Sequence, residues 1–168
     1  RQVLLEGEDH MDMFGSSIDI AGDINRDGFD DLIIGAPQTL AQLDVGKAYL
    51  VYGGNEIELD NSELFAGDST LYYFGRYVSG LGDINADGIT EFGVMADKYL
   101  RIFSGGNLQI LEEIKVKGDW GSFHAICGNG DINNDNIQDM LIGIENRISQ
   151  YTGKLLIYLG RKELDSIP

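Results

Sequence analysis

Three stretches of this 168-residue sequence share one pattern: GDINRDGFDDLIIG at 22–35, GDINADGITEFGVM at 82–95 and GDINNDNIQDMLIG at 130–143. They align without gaps, and each begins Gly-Asp-Ile-Asn-x-Asp. The aspartates that open them are 60 and then 48 residues apart. The chain therefore repeats one structural unit, with connections of different length between the copies.

Short apolar or alternating segments flank each stretch, as is typical of β-strands, and helical periodicity is nearly absent. The pattern predicts strands at 16–21, 31–36, 47–52 and 62–66; at 76–81, 91–96, 99–103 and 110–116; and at 123–127, 138–144 and 154–159. Four short antiparallel strands in about 50 residues match a propeller blade. We therefore expect an all-β protein with three blades at about 12–67, 72–118 and 119–160. An immunoglobulin-like sandwich gives no reason for three copies of one acidic hairpin.

Oxygen-bearing side chains occupy positions 1, 3, 5 and 9 of every acidic loop, counted from its first aspartate. Alternate side chains of a tight loop turn inward, and Ca²⁺ takes six to eight oxygen ligands at about 2.3–2.6 Å. The backbone carbonyl of position 7 is expected to supply a further oxygen. The sequence therefore predicts three Ca²⁺ sites, formed by Asp23, Asn25, Asp27, Phe29 and Asp31; by Asp83, Asn85, Asp87, Ile89 and Glu91; and by Asp131, Asn133, Asp135, Ile137 and Asp139.

Two other interpretations of these loops are a hairpin turn without metal, which fits less well, and an EF-hand, which the sequence excludes. Asp, Asn and Gly also form hairpin turns without any metal. Three copies in one register are harder to explain in that way, because carboxylates within about 4 Å of one another repel by several kcal/mol at an effective dielectric of about 20. An EF-hand loop ends in a bidentate Glu at position 12, where this sequence has Ile34, Val94 and Ile142.

The composition excludes several classes of protein. Twelve Lys and Arg against 28 Asp and Glu give a formal net charge of −16, which is the wrong sign for a nucleic-acid binder. No stretch approaches the roughly 18 consecutive apolar residues of a membrane helix, so no membrane span is expected. The single Cys127 allows no internal disulfide, and its apolar neighbours Ala125 and Ile126 predict a buried thiol.

Residue patterns that support catalysis are missing from the sequence. No G-x-S-x-G elbow, Walker loop or H-E-x-x-H motif occurs. The two histidines, His10 and His124, lack the sequence neighbours of a metal triad or a nucleophile–base pair. The acids that could form a glycosidase pair are already assigned to the Ca²⁺ loops. We therefore expect a protein that is not an enzyme.

These features together resemble FG-GAP repeats, the unit of the seven-bladed propeller of integrin α subunits and of many microbial surface proteins. The first copy has Phe14-Gly15 as FG and Gly35-Ala36-Pro37 as GAP; the second has Phe74-Gly75 and Met95-Ala96-Asp97; the third has Trp120-Gly121 and Gly143-Ile144-Glu145. Two extra residues in the third copy, Gly128-Asn129, indicate a bulge. The resemblance implies Ca²⁺ between the first and second strands of a blade. It also implies a protein or glycan ligand on the opposite face, bound by the 2–3 and 4–1 connections.

The number of blades departs from the family, because this sequence holds three. Residues 2–6 are predicted to form an outermost fourth strand, which the third unit lacks. We therefore expect part of a larger propeller, or a homodimer in which two chains pair head to tail into a six-bladed ring. In the homodimer, residues 2–6 of one chain would complete the third blade of the other.

The expected function is a calcium-binding extracellular module for recognition or adhesion, secreted or at the cell surface. Loop sites with dissociation constants of about 10⁻⁴–10⁻³ M suit extracellular calcium. A carbohydrate-binding, lectin-like propeller is one alternative, with Tyr72, Tyr73, Tyr151 and the connection 38–46 as candidate contacts. An assembly or scaffold segment of a larger secreted enzyme is the other alternative.

Overall fold

The computed structural model describes residues 2–7, 12–37, 45–68, 72–117, 121–146 and 152–162. Within these ranges all regular secondary structure is β-strand, so the expected fold class is confirmed. The strands are β1 (Ser17–Gly22), β2 (Asp31–Ala36), β3 (Lys47–Val51), β4 (Ser62–Ala66), β5 (Tyr77–Gly82), β6 (Glu91–Met95), β7 (Tyr99–Ser104), β8 (Ile110–Lys115), β9 (Ser122–Gly130), β10 (Asp139–Asn146) and β11 (Thr152–Tyr158). The described residues include no helix with the length and apolarity to cross a membrane.

The strands form three antiparallel sheets, one for each repeat. Blade 1 has the order β1-β2-β3-β4, blade 2 has β5-β6-β7-β8, and blade 3 has β9-β10-β11. Strands that follow one another in the chain are neighbours in the sheet, as in a propeller blade. The first strands lie side by side, since β1 contacts β5 and β5 contacts β9. The three blades therefore fan out from a common axis.

Each blade has two faces, set by the alternation of side chains along its strands. We call the face toward the following blade the trailing face and the other the leading face. In blade 1, Ile33 pairs with Leu50 on the trailing face, and Ile34 pairs with Tyr49 on the leading face. The same alternation recurs in blades 2 and 3.

Apolar side chains fill both spaces between blades. Phe92 and Phe103 of blade 2 stack at 5.1 Å, and they lie in one cluster with Ile33 and Leu50 of blade 1. The second cluster joins blades 2 and 3; its buried members are Leu81, Ile84, Met95, Leu100, Ile102, Val116, Phe123, Met140, Ile142 and Tyr158. Burial of apolar surface, at roughly 25 cal/mol per Å², is the main force that holds the blades together.

Glycines allow adjacent blades to approach closely. A β-carbon on Gly35 would lie 1.9 Å from the carbonyl oxygen of Gly75, and one on Gly75 would lie 1.9 Å from that of Lys47. Gly75 also has a φ of 85°, which favours glycine. The FG glycine of blade 2 therefore packs directly against the GAP glycine of blade 1.

Among the described residues, no blade covers the trailing face of blade 3. Leu155 and Ile157 are 63% and 48% exposed there, whereas Leu100 and Ile102 at the same positions of blade 2 are fully buried. Cys127 shares this open face through its pairing with Leu141. The prediction of a buried thiol is wrong, because Cys127 is exposed.

The leading face of blade 1 is open at its inner strand. Ile18 is 70% exposed, whereas Val78 at the same position of blade 2 is only 5% exposed. Farther out, Leu5 and Phe14 pack against the cluster that includes Ile34 and Tyr49. The described part of the molecule is thus an open array with an apolar face at each end.

Some expectations concern the ends and the connections. Residues 2–7 form no strand in the single chain, so their predicted pairing with another chain stays a prediction. The register between β9 and β10 shifts, which confirms the predicted bulge near Gly128-Asn129. His10, Trp120 and Tyr151, with most of the connection 38–46, lie outside the described residues.

Candidate metal sites

The three acidic loops lie between the first and second strands of their blades, in the connections β1–β2, β5–β6 and β9–β10. All of the residues predicted as Ca²⁺ ligands are described. Each set falls within one tight turn, and the three turns repeat the same hydrogen bonds. We number their positions from the first aspartate, as above.

The aspartate at position 1 organises the turn. Asp23 accepts the N–H of Asp27 on Oδ1 at 2.9 Å and the N–H of Gly28 on Oδ2 at 3.0 Å. The corresponding bonds of Asp83 and Asp131 are 3.1 and 2.9 Å in both loops. One carboxylate thus fixes the backbone of positions 5 and 6 in every copy.

Positions 3 and 5 are tied together by their side chains. Asn25 accepts the N–H of Asp27 at 3.0 Å and donates from Nδ2 to Oδ2 of Asp27 at 2.9 Å. Asp27 in turn accepts the N–H of Phe29 at 2.9 Å. The equivalent bonds in the other two loops measure 2.8–3.1 Å.

The acid at position 9 opens the second strand and is buried in all three blades, as Asp31, Glu91 and Asp139. Its carboxylate accepts the N–H of position 2 at 2.9, 3.0 and 2.6 Å, respectively. In blades 1 and 3 the second oxygen accepts the N–H of Gly53 at 2.8 Å and of Gly160 at 2.9 Å. In blade 2 the longer Glu91 side chain instead accepts from Nδ2 of Asn85 at 3.2 Å.

Sequence reasoning missed a glycine that belongs to each site. It follows the third strand as Gly53, Gly105 and Gly160, and a β-carbon there would lie 2.2–2.3 Å from the carbonyl oxygen of position 8. No other residue fits without moving the backbone. The signal was present in the sequence, because a glycine follows the third strand in every unit.

A second missed feature is the backbone at position 4. The φ values there are 61° for Arg26, 59° for Ala86 and 60° for Asn134, in the left-handed region that residues other than glycine rarely adopt. The same positive φ recurs at position 6, where Asn136 of the third loop has 68°. Each turn is therefore held in a strained conformation by its hydrogen bonds.

Burial and neighbouring carboxylates disfavour the charged form of two of the buried acids, Asp31 and Glu91. Burial raises the pKa of Asp31, and the charge of Asp27 acts in the same direction. Burial raises the pKa of Glu91 to about 8, with Asp87 and Asp83 adding to the effect. The ion pairs of Arg101 with Asp68 and Glu113 lie outside the loops. A divalent cation is the kind of group that would stabilise such acids in their charged form.

The donor chemistry of the loops fits a hard cation, since each loop offers three carboxylates and one amide. As placed, these side chains accept hydrogen bonds from the backbone of their own loop. Within the described ranges, no three Asp, Glu, His or Cys side chains converge into a ready coordination centre. Holding a cation would exchange some of these hydrogen bonds for metal–oxygen contacts.

An aromatic and charged row lies at the opposite end of blades 2 and 3. The Arg76 guanidinium is 6.0 Å from the ring centroid of Tyr73 and 5.5 Å from that of Tyr77. The Tyr77 hydroxyl is 3.3 Å from Nδ1 of His124, and the same nitrogen is 3.2 Å from the Glu145 carboxylate. This row belongs to the face on which a ligand was expected.

Comparison with known proteins matches the FG-GAP repeat model to residues 14–52. Integrin alpha-8 of Mus musculus is 27% identical over 92% of this chain, and integrin alpha-7 of Homo sapiens is 32% identical over 84% of it. Integrin alpha-2 of Bos taurus is 42% identical over 55% of it. The chain spans only 16%, 13% and 8% of the length of these three relatives.

Proposed function

Because this chain contains an FG-GAP repeat and resembles integrin α subunits over most of its length, we propose that it is a calcium-stabilised propeller module for recognition or adhesion outside the cell. The observation that carries the calcium assignment is the hydrogen-bonded acidic turn that recurs three times. In each copy the acid at position 9 is buried and the acid at position 5 is exposed. A turn needs no such acid, whereas a cation site does.

In each loop the side chains of positions 1, 3, 5 and 9 and the carbonyl of position 7 would hold Ca²⁺. The ion would supply positive charge to acids whose mutual repulsion and burial otherwise oppose folding. The backbone N–H groups that now bind these carboxylates keep the turn in shape and hold the acids near one another. The glycine after the third strand leaves room for position 8.

Thermal unfolding tests the assignment. A ligand that binds only the folded state stabilises it by about 2.7 kcal/mol at a concentration 100 times its Kd. The melting temperature should rise with CaCl₂ and fall with EGTA, and equal ionic strength of NaCl is the control. A melting curve that EGTA leaves unchanged would overturn the calcium assignment.

The family resemblance supports a location outside the cell, and together with the chemistry of the loops it supports a role without catalysis. Integrin α subunits carry their propellers outside the cell, where calcium suits weak loop sites. The carboxylates of the loops are engaged with backbone N–H groups, and none is placed as a free acid–base pair. Screening with hydrolase substrates should give no turnover, and turnover lost on mutation of a loop acid would contradict this role.

The open faces support further blades as partners. Leu155 and Ile157 of blade 3 occupy positions that are buried between blades elsewhere, and so does Ile18 of blade 1. These faces are complementary in type, trailing and leading, so a second copy or further blades of a longer chain would cover them. Light scattering in solution should give twice the 18.5 kDa mass for a second copy. A monomeric mass at high protein concentration would exclude a second copy and leave further blades of a longer chain as the partner.

Sugar recognition is a second candidate, favoured by the aromatic and charged row at the end of the blades opposite the acidic loops. Tyr72 and Tyr73 are exposed, and Arg76 lies against the ring of Tyr73. Exposed rings beside charged hydrogen-bonding groups suit stacking on a sugar. A glycan array should show binding that Tyr73→Ala removes. An array without signal would reject this candidate and leave the calcium assignment standing.

A further inference from the structure

One side chain joins the first two acidic loops. Arg26 is at position 4 of the first loop, and its Nη2 donates to the carbonyl oxygen of Gly88 at 3.2 Å. Gly88 is at position 6 of the second loop and donates its own N–H to Asp83 Oδ2 at 2.9 Å. The guanidinium of one loop thus reaches the segment that the first aspartate of the next loop holds in place.

The surroundings make this contact specific to these two loops. A cleft of about 420 Å³ lies between them, lined by residues that include Asn25, Arg26, Tyr52 and Ile89. Each of the two loops also carries an exposed carboxylate next in sequence to the bridged residue, Asp27 after Arg26 and Asp87 before Gly88. Arg26 therefore places a fixed positive charge between two acidic turns, where a charged donor binds a carbonyl more strongly than a neutral one.

The second and third loops are joined differently. Position 4 of the second loop is Ala86, whose side chain ends at the β-carbon and has no donor. The link between these loops is a backbone hydrogen bond, from the N–H of Gln138 to the carbonyl oxygen of Asp83 at 3.3 Å. The molecule thus contains one pair of loops with the guanidinium bridge and one pair without it.

We propose that Arg26 couples the first two loops, so that a cation held by the first loop raises the affinity of the second for calcium. This rests on the calcium binding proposed above. A cation bound through Asn25 and Asp27 would order the residues on either side of Arg26 and so hold its side chain on Gly88. The second turn then loses less conformational freedom when it binds.

The test measures calcium affinity of the second loop with the first loop intact or disabled. All proteins carry Asp135→Ala, which disables the third loop, and Asp27→Ala then disables the first. A second pair, with and without Asp27→Ala, also carries Arg26→Gln. A third pair carries Lys117→Gln instead, as the control that removes one positive charge from an exposed residue elsewhere on blade 2. Isothermal titration with CaCl₂ gives the affinities, and melting in EGTA checks that every variant folds.

Coupling free energies between sites are commonly of a size that changes affinity about 5-fold or more. Disabling the first loop should lower the calcium affinity of the second loop about 5-fold when Arg26 is present, and by the same factor in the Lys117→Gln control. With Arg26→Gln, disabling the first loop should leave the calcium affinity of the second loop unchanged. Coupling that persists with Arg26→Gln, or equal affinities in all proteins, would overturn this inference and leave calcium binding intact. Folded proteins that take up no calcium would overturn the calcium proposal itself and this inference with it.

Discussion

Blades 2 and 3 are built from the same repeat, yet one is enclosed and the other is open. Leu100 and Ile102 on the trailing face of blade 2 are fully buried, whereas Leu155 and Ile157 at the same positions of blade 3 are largely exposed. The residue types hardly differ. Burial of a blade face is therefore decided by the neighbouring blade and not by the sequence of the blade itself.

The same comparison applies to the acidic loops. The second loop lies between blades on either side, has glycine at position 6 and is contacted by Arg26. The third loop lies on the open side of the molecule, and its residue at position 6 is Asn136, with a φ of 68°. The two loops share the hydrogen bonds of positions 1, 3 and 5, but they differ in the partner of the acid at position 9, in the residue at position 6 and in their surroundings.

The largest expected effect is on core stability. Leu100→Ala should lower the free energy of unfolding by about 3 kcal/mol, because it leaves a cavity between blades 2 and 3. Leu155→Ala removes an exposed side chain and should cost no more than about 0.5 kcal/mol. Urea denaturation measures both. Equal costs would mean that the trailing face of blade 3 is covered in solution.

The next largest effect we expect is a difference in calcium binding between the second and third loops. Asp87→Ala should remove more of the calcium-dependent rise in melting temperature than Asp135→Ala, because the second loop is held on both sides. Calcium at 100 times the Kd of a site stabilises the folded state by about 2.7 kcal/mol per site, which sets the size of the loss expected when one site is removed. Melting with and without CaCl₂ measures the difference. A larger loss from Asp135→Ala would show that the open loop binds more tightly.

The pKa of Glu91, raised to about 8 from an ordinary 4.5, gives blade 2 a pH dependence. Between these values the folded state binds the proton and the unfolded state has released it, so stability in EGTA should fall as pH rises from about 5 to 8. Glu91→Gln should flatten this slope and raise stability at pH 8 in EGTA. Melting curves across this pH range, for the unmodified chain and for Glu91→Gln, measure the slope. A slope unchanged by Glu91→Gln would contradict the raised pKa of Glu91.

The smallest effect concerns the turn at position 6. Asn136→Gly should stabilise blade 3 by about 0.5 kcal/mol, because glycine adopts the positive φ without strain. Gly88→Asn, the reciprocal change in blade 2, should destabilise by a similar amount. Urea denaturation in EGTA separates this effect from calcium binding. A loss of stability in Asn136→Gly would mean that the asparagine side chain itself supports the turn.

Local patterns in the sequence predicted most of the fold. The strands Asp31–Ala36 and Ser62–Ala66 have the predicted bounds, because apolar alternation and turn residues delimit them on both sides. The third unit is less accurate, since β9 continues to Gly130 through the bulge and pairs there with Asp139. Strand limits that depend on a bulge are set by the partner strand, which the local pattern does not contain.

The candidate site was predictable in its residues but not in its contacts. The fixed spacing of the acids is enough to place Asp23, Asp27 and Asp31 in one turn. The bridge from Arg26 to Gly88 joins residues 62 apart, so no local pattern reveals it. The exposure of Cys127 was also missed, because apolar neighbours predict burial only where another blade packs on them.

Calorimetric titration of the unmodified chain with CaCl₂ tests the central claim most directly. We expect about three ions to bind per chain and Mg²⁺ at the same concentration not to replace them, because Mg²⁺ demands a tighter octahedral site. The absence of any saturable binding by folded protein would contradict the central claim, because the three acidic turns would then be hairpins and nothing more.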